Sequence, residues 1–239
     1  MTFAAILLDV DGTLVRAGGA GRAAFEGALA ELCGPLDGQL AGMRFDGMTD
    51  RLIALEALAR VGLPAGEAAA DRLLGRYVEL LAGAIHRPGF QVLPGVVALL
   101  EARAARGLPL GLCTGNVAAG ARIKLAHGRL DRFFDWSPAG ANGFAEDGVA
   151  REEVVAAALR RVAARLGRAV APAEVLVVGD TPRDVSAAHA AGCPALGVAT
   201  GSFDVAALAA AGADLLAETL EAPAALAALL PPEGPGVAR

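Results

Sequence analysis

The sequence predicts a doubly wound α/β protein, with a parallel sheet between layers of helices and an all-helical segment inserted after the first strand. Three observations lead to this prediction. Short apolar runs that end at polar residues recur along the 239-residue chain. Apolar stripes with helical spacing separate several of these runs. The segment from residue 16 to residue 90 shows helical patterns and no convincing strand.

Five apolar runs are predicted to be buried parallel strands, because each is short, nearly uniform in its apolar character and ends at a polar residue. They are Ala4 to Leu8, Leu108 to Cys113, Val175 to Val178, Ala195 to Val198 and, more weakly, Ala213 to Leu216. Between two of them, the stripe from Val154 to Leu166 has the spacing of one helix face. Alternation of strand and helix is typical of a doubly wound sheet.

The inserted segment is predicted to form three helices. Apolar stripes run from Phe25 to Cys33 and from Leu73 to Leu81, and a third helix is predicted to begin after Thr49 as its N-cap. Glycine-rich stretches bound the segment on both sides, which is typical of a hinged cap over a site. The predicted division of the chain is a core of residues 1–15 and 91–230, a helical cap of residues 16–90 and a disordered tail of residues 231–239.

Composition limits the classes of function. A chain with 55% hydrophobic and 20% charged residues can bury a substantial core, which excludes a disordered protein. A net charge of -5 provides no field that would attract nucleic acid or an anionic membrane, and no apolar run is long enough to cross a bilayer. A small anionic substrate would therefore need cations or a metal placed locally.

The cysteines predict a reducing environment. Cys33, Cys113 and Cys193 are far apart, odd in number and not in a zinc-like spacing, which argues against disulfides and a structural metal. The apolar run from Phe3 to Leu8 lacks a basic leader, so it is unlike a signal peptide. These observations predict a cytoplasmic protein.

The stretch Asp9-Val10-Asp11-Gly12-Thr13 places two carboxylates just beyond the end of the first predicted strand. In an open parallel sheet, ligands bind at this edge. Two carboxylates directed into one pocket repel each other unless a cation or a shared proton relieves the repulsion. Mg²⁺, which prefers oxygen ligands, is the predicted cation.

Two further strand ends carry polar groups. In Asp180-Thr181-Pro182-Arg183-Asp184, Thr181 suits an N-cap and Asp184 lies in the first helical turn. Taken alone, Asp184 is mostly explained as a complement to the helix dipole, whereas Asp180 has no such explanation. In Thr114-Gly115-Asn116, a hydroxyl and turn amides are positioned to hold phosphate oxygens.

The order and spacing of these three motifs resemble the haloacid dehalogenase-like hydrolase superfamily over nearly the whole chain. Leu93-Pro94-Gly95-Val96 and Gly47-Met48-Thr49-Asp50 are similar to the phosphoglycolate phosphatase-like branch, which has a helical cap between the first and second motifs. The resemblance implies a Rossmann-like core and phosphatase chemistry.

By position, the resemblance implies that Asp9 is the nucleophile and forms an aspartyl-phosphate. It makes Asp11 the acid that protonates the leaving alkoxide and then the base that deprotonates water. It also implies that Mg²⁺ is held by the Asp9 carboxylate, the Asp11 carbonyl and Asp180, with Asp184 acting through water or as an orienting group.

The same resemblance assigns the transferring phosphoryl oxygens to Thr114 and to the amides of Gly115 and Asn116. Thr49 is the predicted substrate contact from the cap, while Arg44 and Arg51 are predicted to be surface helix residues.

The family's third-motif cation, usually a lysine at a helix start, has no direct counterpart. Arg151 stands at that place, where a cation opposes the helix dipole and so indicates a function. The alternative is Lys124, the single lysine of the chain, on the helix after Thr114. Both remain candidates, with Arg151 preferred.

The motifs limit the reactions that the protein is expected to catalyse. Asp11 argues against dehalogenation, because a halide leaving group needs no proton, and the absence of lysine from residues 16–90 argues against a Schiff-base phosphonatase. The prediction is a Mg²⁺-dependent phosphatase for a small phosphorylated metabolite, with phosphoglycolate as the first substrate to try. A sugar-phosphate mutase and a phosphometabolite-binding protein without catalysis are the alternatives, and the oligomeric state stays open.

Overall fold

Seven strands and nine helices form the structure, a computed structural model that describes residues 3–230. In chain order, the strands are β1 (Ala5–Leu8), β2 (Val15–Ala17), β3 (Phe90–Val92), β4 (Leu110–Leu112), β5 (Val175–Gly179), β6 (Ala195–Val198) and β7 (Leu215–Ala217). The helices are α1 (Ala20–Cys33), α2 (Asp50–Arg60), α3 (Glu67–Ala84), α4 (Val96–Ala105), α5 (Ala118–His127), α6 (Arg151–Leu166), α7 (Pro182–Ala190), α8 (Val205–Ala210) and α9 (Pro223–Leu229).

Five strands pair in parallel in the order β4-β1-β5-β6-β7. This confirms the predicted fold class and all five predicted strands, with small shifts at the ends. The last strand begins two residues later than the predicted Ala213, because Ala213 and Asp214 lie before the first paired residue, Leu215.

Alternate residues of the buried strands enter opposite faces of the sheet, as the two-residue repeat of a strand requires. Ile6 and Leu8 pack with α4, α5 and α9, whereas Leu7 packs with α6 and α7. Residues of β1 are completely buried, which explains why the strand is an unbroken apolar run.

Helices α1, α2 and α3, together called the helical insertion, pack around an apolar cluster that also includes Val117 and Ala145 of the core. Phe25 belongs to this cluster, with its ring 5.4 Å from that of Phe45 and 6.1 Å from that of Tyr77, both edge to face. The predicted stripes therefore face inward, except at the end of α1, where Leu32 is 48% exposed and Cys33 is exposed. Thr49 caps α2 as predicted, because its Oγ1 accepts a hydrogen bond from the Leu52 amide.

An antiparallel ribbon of β2 and β3 joins the helical insertion to the sheet. The expectation that the segment from residue 16 to residue 90 lacks a strand is therefore wrong at both ends, where Ala17 pairs with Phe90. Strands of three residues are too short for a two-residue alternation to be recognised. The predicted boundaries between core and cap fall within this ribbon and stay a prediction, and the predicted tail lies outside the described residues.

Across residues 3–230, none of the helices has the length and apolar character needed to cross a membrane.

Candidate active site

The site forms where β1, β4 and β5 end side by side. Leu8 is in register with Leu112 on one side and with Val178 on the other, so the chain leaves all three strands at the same edge. Asp9 directly follows β1 and Asp180 directly follows β5. The motifs that the sequence placed at one sheet edge therefore meet there, as the geometry of parallel strands predicts.

Asp9, Asp180 and Asp184 form a buried cluster in which one carboxylate oxygen from each residue lies within 4.8 Å of the others. Burial raises the pKa of Asp9 to about 6, although the charge of Arg151 opposes the shift. Burial, followed by the charges of Asp184 and Asp9, raises the pKa of Asp180 to about 9. The raised pKa values show that simultaneous ionisation of the three carboxyl groups is unfavourable unless a further cation is present.

Arg151 is the cation of this cluster. It is the first residue of α6, and its buried Nη2 lies 2.9 Å from Asp9 Oδ1 and donates a hydrogen bond to Asp184 Oδ1. Burial lowers the pKa of Arg151, but the charges of Asp184 and Asp9 outweigh it and raise the value above the ordinary one. The guanidinium is charged and bridges two of the three carboxylates.

Both oxygens of Asp184 are already engaged by protein groups. Oδ1 accepts from Arg151, and Oδ2 accepts from the Thr181 amide at 3.0 Å and the Thr181 hydroxyl at 2.8 Å. Thr181 caps α7 as predicted, with Pro182 as the first helical residue. This arrangement orients Asp184 toward Arg151.

Asp11 lies apart from the cluster and contacts the other candidate cation. Its Oδ2 accepts from Lys124 Nζ at 2.5 Å and from Asn116 Nδ2 at 2.8 Å. Lys124 Nζ also donates to Asn116 Oδ1 at 2.6 Å. Arg151 and Lys124 thus reach different carboxylates, and Arg151 is the one beside Asp9.

The loop after β4 places its three predicted residues at different depths. Thr114 is fully buried, and its Oγ1 accepts from the Asn116 side chain at 2.7 Å and from the Asn116 amide at 3.3 Å. Gly115 and Asn116 line a cavity of about 610 Å³ between the sheet edge and the helical insertion. Thr114 therefore holds the loop through the hydrogen bonds that its hydroxyl accepts from Asn116.

Thr49 lies outside that cavity. Its hydroxyl donates to the Val149 carbonyl at 2.6 Å while it accepts from the Leu52 amide, and the residue is buried. These contacts tie the start of α2 to the loop before α6. Both hydroxyl contacts are with backbone groups outside the cavity, so the Thr49 hydroxyl has a structural role.

Several cavity residues were not predicted from the sequence. Arg16, Arg22, Asp50 and Tyr77 line the cavity. Arg44 lines it as well; its side chain is 71% exposed, in agreement with the predicted surface position, but the residue lies in no helix. Tyr77 belongs to an apolar helical stripe that predicts only burial. The positions of Arg22, Arg44, Asp50 and Tyr77 depend on how the segment between β2 and β3 packs on the core, for which no local sequence signal exists.

The carboxylate cluster fits a divalent cation. The Asp180 carboxylate packs against bare backbone: a Cβ at Gly12 or Gly201 would come within 2.2 Å or 1.6 Å of Asp180 Oδ2. Asp9 Oδ1 is buried without a well-directed hydrogen bond, even though the Arg151 guanidinium is close. Three carboxylates facing one guanidinium leave excess negative charge on oxygen atoms, the donors that Mg²⁺ prefers.

A doubly wound core whose strand ends bring carboxylates together beneath a helical insertion defines an α/β protein with an acidic centre at the sheet edge. The sequence model of the haloacid dehalogenase-like hydrolases matches residues 3–192, so the chain belongs to this family. This confirms the resemblance seen in the motifs.

Individual relatives agree with this result. The chain is 35% identical over 195 residues to a phosphoglycolate phosphatase of Rhodospirillum rubrum, a match that covers 80% of this chain and 77% of that protein. A hydrolase from Pseudomonas syringae has a similar structure, with a TM-score of 0.69, 25% identity and coverage of 94% of this chain and 96% of that one. The predicted enzyme class, a phosphatase of this family, is confirmed.

The fold alone does not separate reactions within the family. A putative β-phosphoglucomutase from Bacteroides vulgatus has a TM-score of 0.64 at 22% identity, over 92% of this chain and 85% of that one. At this identity the likeness concerns the fold alone, so the substrate and the roles of individual residues must be argued from the site.

Proposed function

We propose that the protein is a Mg²⁺-dependent phosphatase that hydrolyses a small phosphomonoester of the phosphoglycolate type in the cytoplasm. The observation that carries the proposal is the buried Asp9 at the end of β1, beside the Arg151 guanidinium and the Asp180 carboxylate. Asp11, two residues further on, lines the same cavity.

In the first half of the reaction, an Asp9 carboxylate oxygen attacks phosphorus and the bond from phosphorus to the ester oxygen breaks. Arg151 holds Asp9 and donates toward the phosphoryl oxygens, whose charge spreads in the transition state. Asp11 gives its proton to the departing alkoxide. The products of this half are the free alcohol, an aspartyl-phosphate and an ionised Asp11.

In the second half, Asp11 takes a proton from a water molecule that hydrolyses the aspartyl-phosphate. Inorganic phosphate leaves, while Asp9 is restored as a carboxylate and Asp11 as an acid. Gly115 and Asn116, which line the cavity, would hold the phosphoryl group through both halves. Closure of the helical insertion would limit the access of bulk water.

The residues that would hold Mg²⁺ are Asp9, Asp180 and the Asp11 carbonyl. When bound, the ion supplies charge neutralisation among the carboxylates and the phosphoryl oxygens. Asp184 is an orienting residue for Arg151 in this proposal, because both of its oxygens accept hydrogen bonds from protein groups.

The cavity supports a substrate with a second anionic group. Arg16, Arg22 and Arg44 line it in addition to the residues that act on phosphorus. Arg22 pairs with Glu26 at 2.8 Å. Arg16 donates to the Thr200 carbonyl and makes no ion pair within residues 3–230. A carboxylate such as that of phosphoglycolate would give Arg16 an anionic partner.

The test is Mg²⁺-dependent phosphate release from phosphoglycolate, sugar phosphates, nucleotides and phosphoserine, with Asp9→Asn assayed alongside. We expect release from a small anionic ester and its loss in Asp9→Asn. Asp204→Asn is the matched control, because it makes the same change at an N-cap outside the cavity, where asparagine caps as well as aspartate. Strict dependence on a bisphosphate activator, or no release from any ester, would contradict the proposal.

A further inference from the structure

Lys124 is buried beneath the helical insertion although it belongs to the core. It lies on α5, with only 5% of its side chain exposed. Nζ is 2.5 Å from Asp11 Oδ2 and 2.6 Å from Asn116 Oδ1. A lysine is rarely buried unless its charge is paired, so this placement requires the acceptors that surround it.

The contacts of Asp11 distinguish its two oxygens. Oδ2 accepts from both Lys124 and Asn116, whereas Oδ1 accepts no hydrogen bond from the described part of the chain. The Asp11 side chain is 43% exposed and lines the cavity. One oxygen is therefore anchored and the other is available to a ligand.

Groups from all three helices of the insertion enclose the ammonium. Tyr77 of α3 and Asp50 of α2 act on Lys124 along with Asp11. Gly21 of α1 is also close, since a Cβ at this position would be 3.7 Å from Lys124 Nζ. Asp50 is itself held, because its Oδ2 accepts from the Val117 amide at 2.9 Å. The insertion therefore surrounds the lysine that holds Asp11.

We infer that Lys124 is a positioning residue that anchors Asp11 Oδ2, so that Oδ1 passes the proton to the leaving alkoxide. The inference rests on the proposed function and separates the two cations: Arg151 acts at phosphorus, and Lys124 acts on the leaving group through Asp11. The hydrogen of the Asp11 carboxyl moves to the alkoxide oxygen, and Lys124 retains its own protons throughout.

Such a role depends on the leaving group. An alkoxide needs a proton as its bond to phosphorus breaks, whereas p-nitrophenolate leaves without one. The ratio kcat/KM reports the steps up to the first irreversible one, which includes departure of the leaving group. A residue that acts through Asp11 must therefore affect kcat/KM for an alkyl ester more than for p-nitrophenyl phosphate.

The experiment measures kcat/KM of the wild type and of Lys124→Met with p-nitrophenyl phosphate and with the best alkyl ester of the panel. We expect a loss of about 100-fold on the alkyl ester and of less than about 3-fold on p-nitrophenyl phosphate. Arg151→Met is the matched control, because loss of a phosphoryl contact lowers both values by similar factors. Equal losses in Lys124→Met would overturn the inference and assign the lysine to the phosphoryl group.

Two further variants keep the test decisive. If Lys124→Met does not fold, Lys124→Arg retains the charge and is expected to show a smaller loss with the same selectivity for the alkyl ester. Tyr77→Phe removes one hydroxyl beside the lysine and is expected to lower only the alkyl value, by about 3-fold. Equal effects on both esters would overturn the inference in either variant.

The proposed function is tested separately by the same assays. If the wild type turns over both esters and Asp9→Asn does not, the phosphatase proposal is supported. This holds for any result obtained with Lys124→Met. Absent wild-type turnover would overturn both proposals, whereas equal losses in Lys124→Met would overturn only the positioning role.

Discussion

The site has a deep end and a shallow end, and they differ in how their charges are balanced. At the deep end, three buried carboxylates face the single guanidinium of Arg151. At the shallow end, Asp11 pairs with Lys124 and its side chain reaches the cavity. The deep end therefore holds the larger excess of carboxylates over cations, whereas Asp11 at the shallow end has a cationic partner of its own.

The two ends also differ in which part of the chain builds them. Arg151 and the carboxylate cluster come from the ends of β1 and β5 and from α6 and α7, all in the core. Lys124 and Asp11 belong to the core as well, but Asp50 and Tyr77 of the insertion surround the lysine. We infer that phosphorus chemistry is assigned to the core alone, and that leaving-group chemistry depends on the insertion.

The largest effect is expected at the deep end. Arg151→Met leaves Asp9 and Asp184 buried without their cation, so the free energy of unfolding without Mg²⁺ should fall by about 3 to 5 kcal/mol. Turnover of both esters should fall by about 100- to 1000-fold. Urea denaturation with and without Mg²⁺, together with the two-ester assay, checks this.

The matched control for Arg151→Met lies on the same helix. Arg161→Met breaks a bidentate pair with Asp147 outside the cavity and should cost less stability, with activity unchanged. If the two variants lost stability equally, the deep end would not hold an unusual excess of charge.

The next effect concerns pH and the insertion. Burial raises the pKa of Asp50 to about 6 from the ordinary 3.8. Because the folded state binds this proton more tightly, its stabilising contribution is complete below about pH 4 and is lost as the pH rises through 6. The contribution is about 3 kcal/mol.

Asp50→Asn should remove this dependence, because asparagine stays neutral and can still accept from the Val117 amide. Urea denaturation from pH 4 to pH 7 should give a flatter stability profile than that of the wild type. Glu56→Gln, an exposed change on the same helix, should leave the wild-type profile in place. If the stability profile of Asp50→Asn ran parallel to that of the wild type, the raised pKa of Asp50 would be contradicted.

Mg²⁺ should stabilise the folded protein by binding to the carboxylates of the deep end. At a concentration about 100 times its Kd, the ion should raise the free energy of unfolding of the wild type by about 2.7 kcal/mol. Asp180→Asn should lose this gain and be at least as stable as the wild type without metal, because one of the crowded carboxylates is gone. Thermal denaturation with and without Mg²⁺ checks both statements, and an unchanged gain would place the ion elsewhere.

Local patterns were sufficient to predict much of the site. Asp9, Thr114 and Asp180 each follow an apolar run directly, so the parallel sheet predicts that they share one edge. Thr181 and Pro182 likewise form a helix start that is visible in the sequence. In each case, the signal and the structure lie within a few residues of each other.

Residues contributed by the insertion could not be predicted in this way. Tyr77 and Asp50 reach the site because three helices pack on the core, and this packing leaves no signature near either residue. The choice between Arg151 and Lys124 was open for the same reason: each is plausible along its own helix, and only the packing shows that they reach different carboxylates.

The smallest effect tests whether the deep end can be loosened without disturbing the shallow end. Thr181→Ala removes the side chain that caps α7 and the hydroxyl that donates a hydrogen bond to Asp184 Oδ2. The free energy of unfolding should fall by about 1 kcal/mol. Thr181→Ser, which keeps the hydroxyl, should lose less. Because Asp184 acts on Arg151 and not on Asp11, kcat/KM for both esters should fall by the same modest factor in Thr181→Ala. If kcat/KM fell selectively for the alkyl ester, the two ends would be coupled through the core. The assignment of separate roles to Arg151 and Lys124 would then be wrong.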